Sequence, residues 1–161
     1  MKATDPKLAS VIAAGAEIDI DVQPMTFSKD TRTAVDAARE IGCALGQIVK
    51  SLVFEAGDEP LLFLVSGVNR LDTRKAMSAA DVGALDKADA ARVKEVTGYS
   101  IGATPPFGHV QRLRVFMDQD LLTYDEVWAA AGRPDSVFPV DPGALASATG
   151  ATVCSLSETT S

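Results

Sequence analysis

The sequence predicts an α+β fold, a mixed sheet with helices on its periphery. Two strongly apolar runs, 48–54 and 61–65, flank a polar connection, Glu55-Ala56-Gly57-Asp58-Glu59-Pro60, in the manner of a hairpin. Several segments open on Asp or Thr and close on Gly, the punctuation of short capped helices. Strands and helices do not alternate one for one, which excludes a doubly wound nucleotide-binding sheet. A length of 161 residues suits one domain, 1–161, with a single core.

Taken in order, Asp5-Pro6 is an N-cap followed by proline at the first helical position. It opens a helix to about residue 14, with Gly15 closing it. Residues 18–22 (IDIDV) alternate apolar and acidic side chains, the period of a half-exposed strand. A second helix is expected from near Thr33, with Val35, Ala38 and Ile41 on one face and Gly42 as its stop. Beyond the hairpin, Asp72 caps a short helix through Ala80, and another covers 89–97 before Gly98. Thr123-Tyr124-Asp125-Glu126 has the form of a capping box, which predicts a helix through Val127 and Trp128 to Gly132. Asp141-Pro142 opens the last helix, ending at Gly150. Residues 152–155 form a final short strand before a frayed Ser/Thr-rich tail.

Composition removes several function classes. With 47% hydrophobic and 23% charged residues the chain has a globular, soluble profile. No apolar run approaches the roughly eighteen residues of a membrane span. The start, Met1-Lys2-Ala3-Thr4-Asp5-Pro6, lacks a signal-peptide pattern, so the cytoplasm is the expected compartment. Two distant cysteines, Cys43 and Cys154, read as free thiols, and one histidine, His109, leaves too few ligands for a Cys/His zinc site. No metal or other cofactor is expected. A net charge of −7 argues against bulk coating of nucleic acid. One RNA end can still be held by a local patch, for which Arg70, Arg74, Lys75, Arg112 and Arg114 are the candidates. The alternative is that these five are ordinary solvated charges.

Familiar catalytic motifs are absent: there is no GxGxxG, Walker loop, HExxH or GxSxG. Nothing local supports a Cys-His dyad. Two features remain. Lys50 interrupts the apolar run Ile48-Val49-Lys50-Ser51-Leu52-Val53-Phe54, sharing a strand face with Leu52 and Phe54. It either snorkels from the strand end or presents its ammonium to an anion in a pocket. The second is the stretch from Gly98 to His109, GYSIGATPPFGH, whose glycines and paired prolines fix a rigid loop with backbone N–H groups outside any ladder. Such a loop is either a plain structural turn or a cradle for a carbonyl oxygen or oxyanion.

Four segments in this order resemble the YbaK/EbsC family, which is related to the editing domain inserted in bacterial prolyl-tRNA synthetases. They are Phe27 with Thr31-Arg32-Thr33-Ala34; Gly46-Gln47-Ile48-Val49-Lys50-Ser51-Leu52; Val65-Ser66-Gly67-Val68-Asn69-Arg70-Leu71-Asp72; and 97–109. The resemblance runs from about Met25 to the end of the last helix. It implies a barrel-like, largely antiparallel mixed sheet with peripheral helices, and hydrolysis of the ester between an amino acid and the terminal adenosine of tRNA. Lys50 is similar to the family's lysine. Gly102-Ala103-Thr104-Pro105-Pro106 resembles its G-x-x-x-P loop, although Thr104-Pro105 stands where several members carry Ile or Val and then Ser.

On that resemblance Lys50, Gly102, Thr104, Pro105 and Pro106 are the expected catalytic set. Phe27, Thr31, Ser66, Asn69, Arg70 and His109 are expected to contact substrate, with His109 as a general base or as a capping side chain. An aminoacyl ester is already activated, so positioned water and oxyanion donors suffice without a protein nucleophile. The expected partners are the 3′ end of an aminoacyl-tRNA, tRNA-Pro carrying a small amino acid among them, and a tRNA synthetase. No membrane or DNA partner is expected. The alternative is a non-catalytic tRNA- or aminoacyl-binding module on the same fold.

Overall fold

The structure is a computed structural model and describes residues 5–27 and 33–158. Its elements, in chain order, are α1 (Pro6–Glu17), β1 (Met25–Thr26), α2 (Ala34–Ile41), β2 (Val49–Ala56), β3 (Glu59–Ser66), α3 (Thr73–Ala80), β4 (Asp86–Lys87), α4 (Ala90–Thr97), β5 (Arg114–Asp118), β6 (Val127–Ala130), β7 (Ser136–Val140), α5 (Pro142–Thr149) and β8 (Thr152–Cys154). They build an α+β molecule around two sheets, ordered β4-β2-β3-β5-β8 and β1-β7-β6. Pairing is antiparallel except at β3–β5 and β5–β8. An isolated parallel bridge, Ile48 to Trp128, ties one sheet to the other.

The hairpin forms as its pattern requires, with Val49 opposite Ser66 and Ala56 opposite Glu59. β3 is covered on both faces, and Leu61, Leu62, Phe63, Leu64 and Val65 are all fully buried. Leu62 and Leu64 join the main core with Val11, Met117 and Phe138, while Leu61, Phe63 and Val65 pack toward Ala76, Ala80 and Phe116. The rings of Phe63 and Phe116 stack at 5.2 Å. Helix starts follow local chemistry. Asp5, Thr33, Asp72, Asp89 and Asp141 each accept a backbone N–H in the first turn of the following helix, replacing a bond the helix cannot supply itself.

Three expectations are corrected. α1 continues through Gly15 to Glu17. A Cβ on Gly15 would lie 2.6 Å from Val22 Cγ2 and 2.9 Å from the Ile20 carbonyl oxygen, so this glycine is a packing notch and not a cap. Among the described residues, 18–22 pair with no strand, although Ile20 and Val22 are buried; the alternation recorded burial without a partner strand. The helix expected over 123–132 is instead β6, preceded by a 3₁₀ turn, Gln119–Thr123. Val127 and Ala129 are buried while Trp128 and Ala130 are half-buried, and pairing with β7 overrides the capping-box signature.

Candidate functional site

A cavity of about 270 Å³ opens where the two sheets meet. Phe27, Ala34, Ala37, Ile48, Trp128 and Val137 give it apolar walls, and Lys50, Ser51, Gly102 and Thr104 contribute from two other directions. β2 brings Lys50, β6 and β7 bring Trp128 and Val137, and the segment after α4 brings the turn with Gly102. Among the described residues the wall holds no Cys, His, Asp or Glu.

Lys50 is half-buried, and its Nζ donates to the backbone oxygen of Asn69. Burial, reinforced by the charge of Arg70, lowers its pKa below the ordinary lysine value. A cation that has given up part of its hydration is suited to meeting an anion.

The same wall carries a tight turn. Ala103 N–H donates to Ser100 O at 3.0 Å, and Gly102 sits at φ +86°, the left-handed value that the third position of a type II turn takes. Among the described residues the amides of Ile101, Gly102 and Thr104 donate to no acceptor. Thr104 is buried, and its hydroxyl donates to the same Ser100 oxygen at 3.1 Å. Pro105 and Pro106 are buried behind the turn. His109 Nε2 lies 2.7 Å from Pro105 O, so that nitrogen carries the proton and donates, closing the loop on itself. Burial lowers the His109 pKa against the opposing effect of that carbonyl.

The sequence-derived residues therefore divide. Lys50, Gly102, Thr104 and Phe27 share the cavity wall. Pro105, Pro106 and His109 brace the turn without lining the cavity. Ser66 is fully buried, with its hydroxyl donating to Gly46 O at 2.7 Å, and lies off the wall. Asn69 and Arg70 do not line the cavity but act on Lys50, Asn69 through its carbonyl and Arg70 through its charge. Thr31 lies outside the described residues. Of the basic-patch candidates, Arg114 pairs with Glu59 and Lys75 donates to Ser157 O, while Arg70, Arg74 and Arg112 are exposed. Trp128, Ser136 and Val137 were missed. Assigning 123–132 to a helix misplaced Trp128, and the Ser-Val-Phe-Pro-Val run of β7 was the unused strand signal.

A family model described as an aminoacyl-tRNA editing domain matches residues 28–148. YwhH of Bacillus subtilis, an uncharacterised protein, is 31% identical over 120 residues, which span 74% of this chain and 76% of YwhH. The proline–tRNA ligase of Maridesulfovibrio salexigens is 30% identical over 104 residues, 65% of this chain but 18% of the ligase. A crystal structure described as a candidate trans-editing enzyme for prolyl-tRNA synthetase superposes with a TM-score of 0.92 at 42% identity, covering 98% of this chain and all of that one.

Proposed function

The chain belongs to the aminoacyl-tRNA editing family, and we propose that it acts in trans as a single-domain deacylase. Its substrate in this reading is the ester of a mischarged tRNA, tRNA-Pro carrying a small amino acid. The observation that carries the reading is the meeting of Lys50 and the Gly102 turn on one small cavity wall. At about 270 Å³ the cavity falls below the size range of drug-like ligand sites, which suits an amino acid held at the end of a longer molecule.

In this mechanism Lys50 binds a phosphate of the tRNA 3′ end as a compact ammonium. The apolar walls around Phe27 and Trp128 take the amino-acid side chain. Amides of the Gly102 turn donate to the ester carbonyl oxygen, and more strongly as negative charge gathers on it. Water attacks the carbonyl carbon, the tetrahedral species collapses, and the C–O bond to the ribose breaks. The ribose oxygen regains a proton and the free amino acid leaves. A synthetase pocket separates amino acids differing by one methylene by only about 1–3 kcal/mol, and a small second cavity supplies the missing discrimination.

The test is release of labelled amino acid from a panel of mischarged tRNAs. Release from tRNA-Pro bearing a small amino acid, lost in Lys50→Ala, is the expected result. Tight binding without release from any member of the panel would establish a non-catalytic binding module instead.

A further inference from the structure

We infer that Asn69, pinned by Asp118 and Asp120, is a positioning residue that sets where the Lys50 ammonium sits on the cavity wall. The inference rests on the proposed role of Lys50 and extends it to three residues off that wall. Asn69 Nδ2 donates to Asp118 Oδ2 and to Asp120 Oδ2, each at 2.8 Å. An amide nitrogen has two N–H bonds, so each carboxylate takes one. The reverse amide orientation would set an oxygen against two carboxylates, so chemistry fixes which way the side chain points.

The two acids are themselves anchored. Asp118 ends β5, is fully buried, and accepts from the Asp120 N–H at 3.4 Å. Asp120 lies in the 3₁₀ turn that follows. A buried carboxylate must have hydrogen bonds, and Asn69 supplies one to Asp118. Asn69 is also held through its backbone, its N–H donating to Ser66 O at 2.9 Å. Its carbonyl then points at one place, and there it accepts from Lys50 Nζ. A flexible four-carbon stem thus ends at a defined point, with Arg70 adding its charge nearby.

A residue acting through Lys50 predicts a distinctive pair of readouts. With 13C-labelled lysine, the two Hε protons of Lys50 should resonate apart in the wild-type chain, because a held methylene keeps them inequivalent. In Asn69→Ala they should merge while the other lysines are unchanged. Deacylation in the same variant should fall by about tenfold or more in kcat/KM, since small misplacements of a group that holds the substrate are costly. KM should rise with it, because Lys50 is the group that binds the tRNA phosphate, and the loss caused by Lys50→Ala should be smaller in the Asn69→Ala background than in wild type. Asp120→Asn keeps an acceptor oxygen at the half-buried site and should show a smaller effect of the same kind. It serves as the working variant if Asn69→Ala fails to give a folded amide spectrum. Unchanged Hε signals, an unchanged kcat/KM, or losses from Asn69→Ala and Lys50→Ala that simply add would each overturn the inference, the last by making Asn69 an independent substrate contact. Should the wild-type chain release no amino acid, the editing role falls, and the Hε comparison still decides whether Asn69 holds the lysine.

Discussion

A lysine ammonium half-buried beside an arginine is worse solvated in the folded chain than in the unfolded one. The folded pKa of Lys50 therefore lies below its unfolded value. Between the two, the unfolded chain holds more protons, so stability rises with pH across that interval. Lys50→Met keeps most of the stem's packing and removes the charge. We expect it to raise Tm near neutral pH, to lose the alkaline rise in stability, and to abolish deacylation. An active variant, or one that melts earlier, would contradict this. The same lowered pKa predicts that deacylation declines with rising pH sooner than an ordinary lysine would allow, which a kcat/KM profile measures. Gly102 and Thr104 separate on different grounds. A Cβ at Gly102 would meet nothing within 4 Å, so space is not its reason; its φ of +86° is. Gly102→Ala should already cost about 1–2 kcal/mol of stability from the left-handed backbone, with a loss of turnover as the turn relaxes. Thr104→Val removes one hydrogen bond, at about 1 kcal/mol, and should leave kcat near wild type. Equal losses of turnover in both variants would mean that the hydroxyl orients water or substrate.

At the scale of elements, the loop after α4 is braced from behind by residues that never reach the cavity. Lys7 Nζ on α1 donates to Gly98 O at 2.8 Å and lies over the Tyr99 ring, and Gly132 N–H donates to Ala103 O. A Cβ on Gly108 would lie 2.6 Å from Ala14 Cβ, so α1 presses directly on the loop. α1 lies outside the 28–148 match, yet it supports the turn that carries Gly102. His109 is the loop's internal clasp. Because burial lowers its folded pKa, protons enter the unfolded chain first as pH falls from about 6.5. Its contribution to stability is complete above that pH and is lost as pH falls through the lowered folded value. His109→Gln can still donate to Pro105 O, so we expect a smaller Tm drop between pH 7 and 5 than in wild type. An identical drop would show that His109 does not titrate in this way. The elements legible in the sequence were those with chemical punctuation, such as α2 between Thr33 and Gly42 or the hairpin around Gly57. β6 and β7 were not legible, because Val127 to Ala130 becomes a strand only through a partner some ten residues later in the chain.

Across the whole molecule, the negative net charge leaves tRNA binding to whatever basic groups remain unpaired. Arg114 is committed to Glu59 and Lys75 to the chain end near Ser157, whereas Arg70, Arg74 and Arg112 are exposed. KM for tRNA should therefore rise with salt, and Arg74→Glu or Arg112→Glu should raise KM more than it lowers kcat. A KM indifferent to ionic strength would remove the patch. Lys50 and the Gly102 turn were visible in the sequence because a charge in an apolar strand and a dense Gly/Pro loop are local irregularities. The third wall of the cavity was not, since it is assembled from two sheets whose meeting no local pattern records.

That meeting has a mechanical side. Among the described residues the two sheets share a single backbone bridge, Ile48 to Trp128, and both of those residues line the cavity. An occupant seated there works as a dowel across a joint, touching Phe27 and Val137 on one board and Lys50 on the other. Affinity and the strength of the joint are then coupled. A bound ligand strengthens it by RT ln(1 + [L]/Kd), and a mutation weakens binding through the joint only when it leaves the joint open in a sizeable fraction of molecules. Hydrogen exchange at the Trp128 amide, which faces the other sheet, should slow when a non-hydrolysable aminoacyl-adenosine is added. Protection confined to the Gly102 turn would mean that the occupant grips one board only.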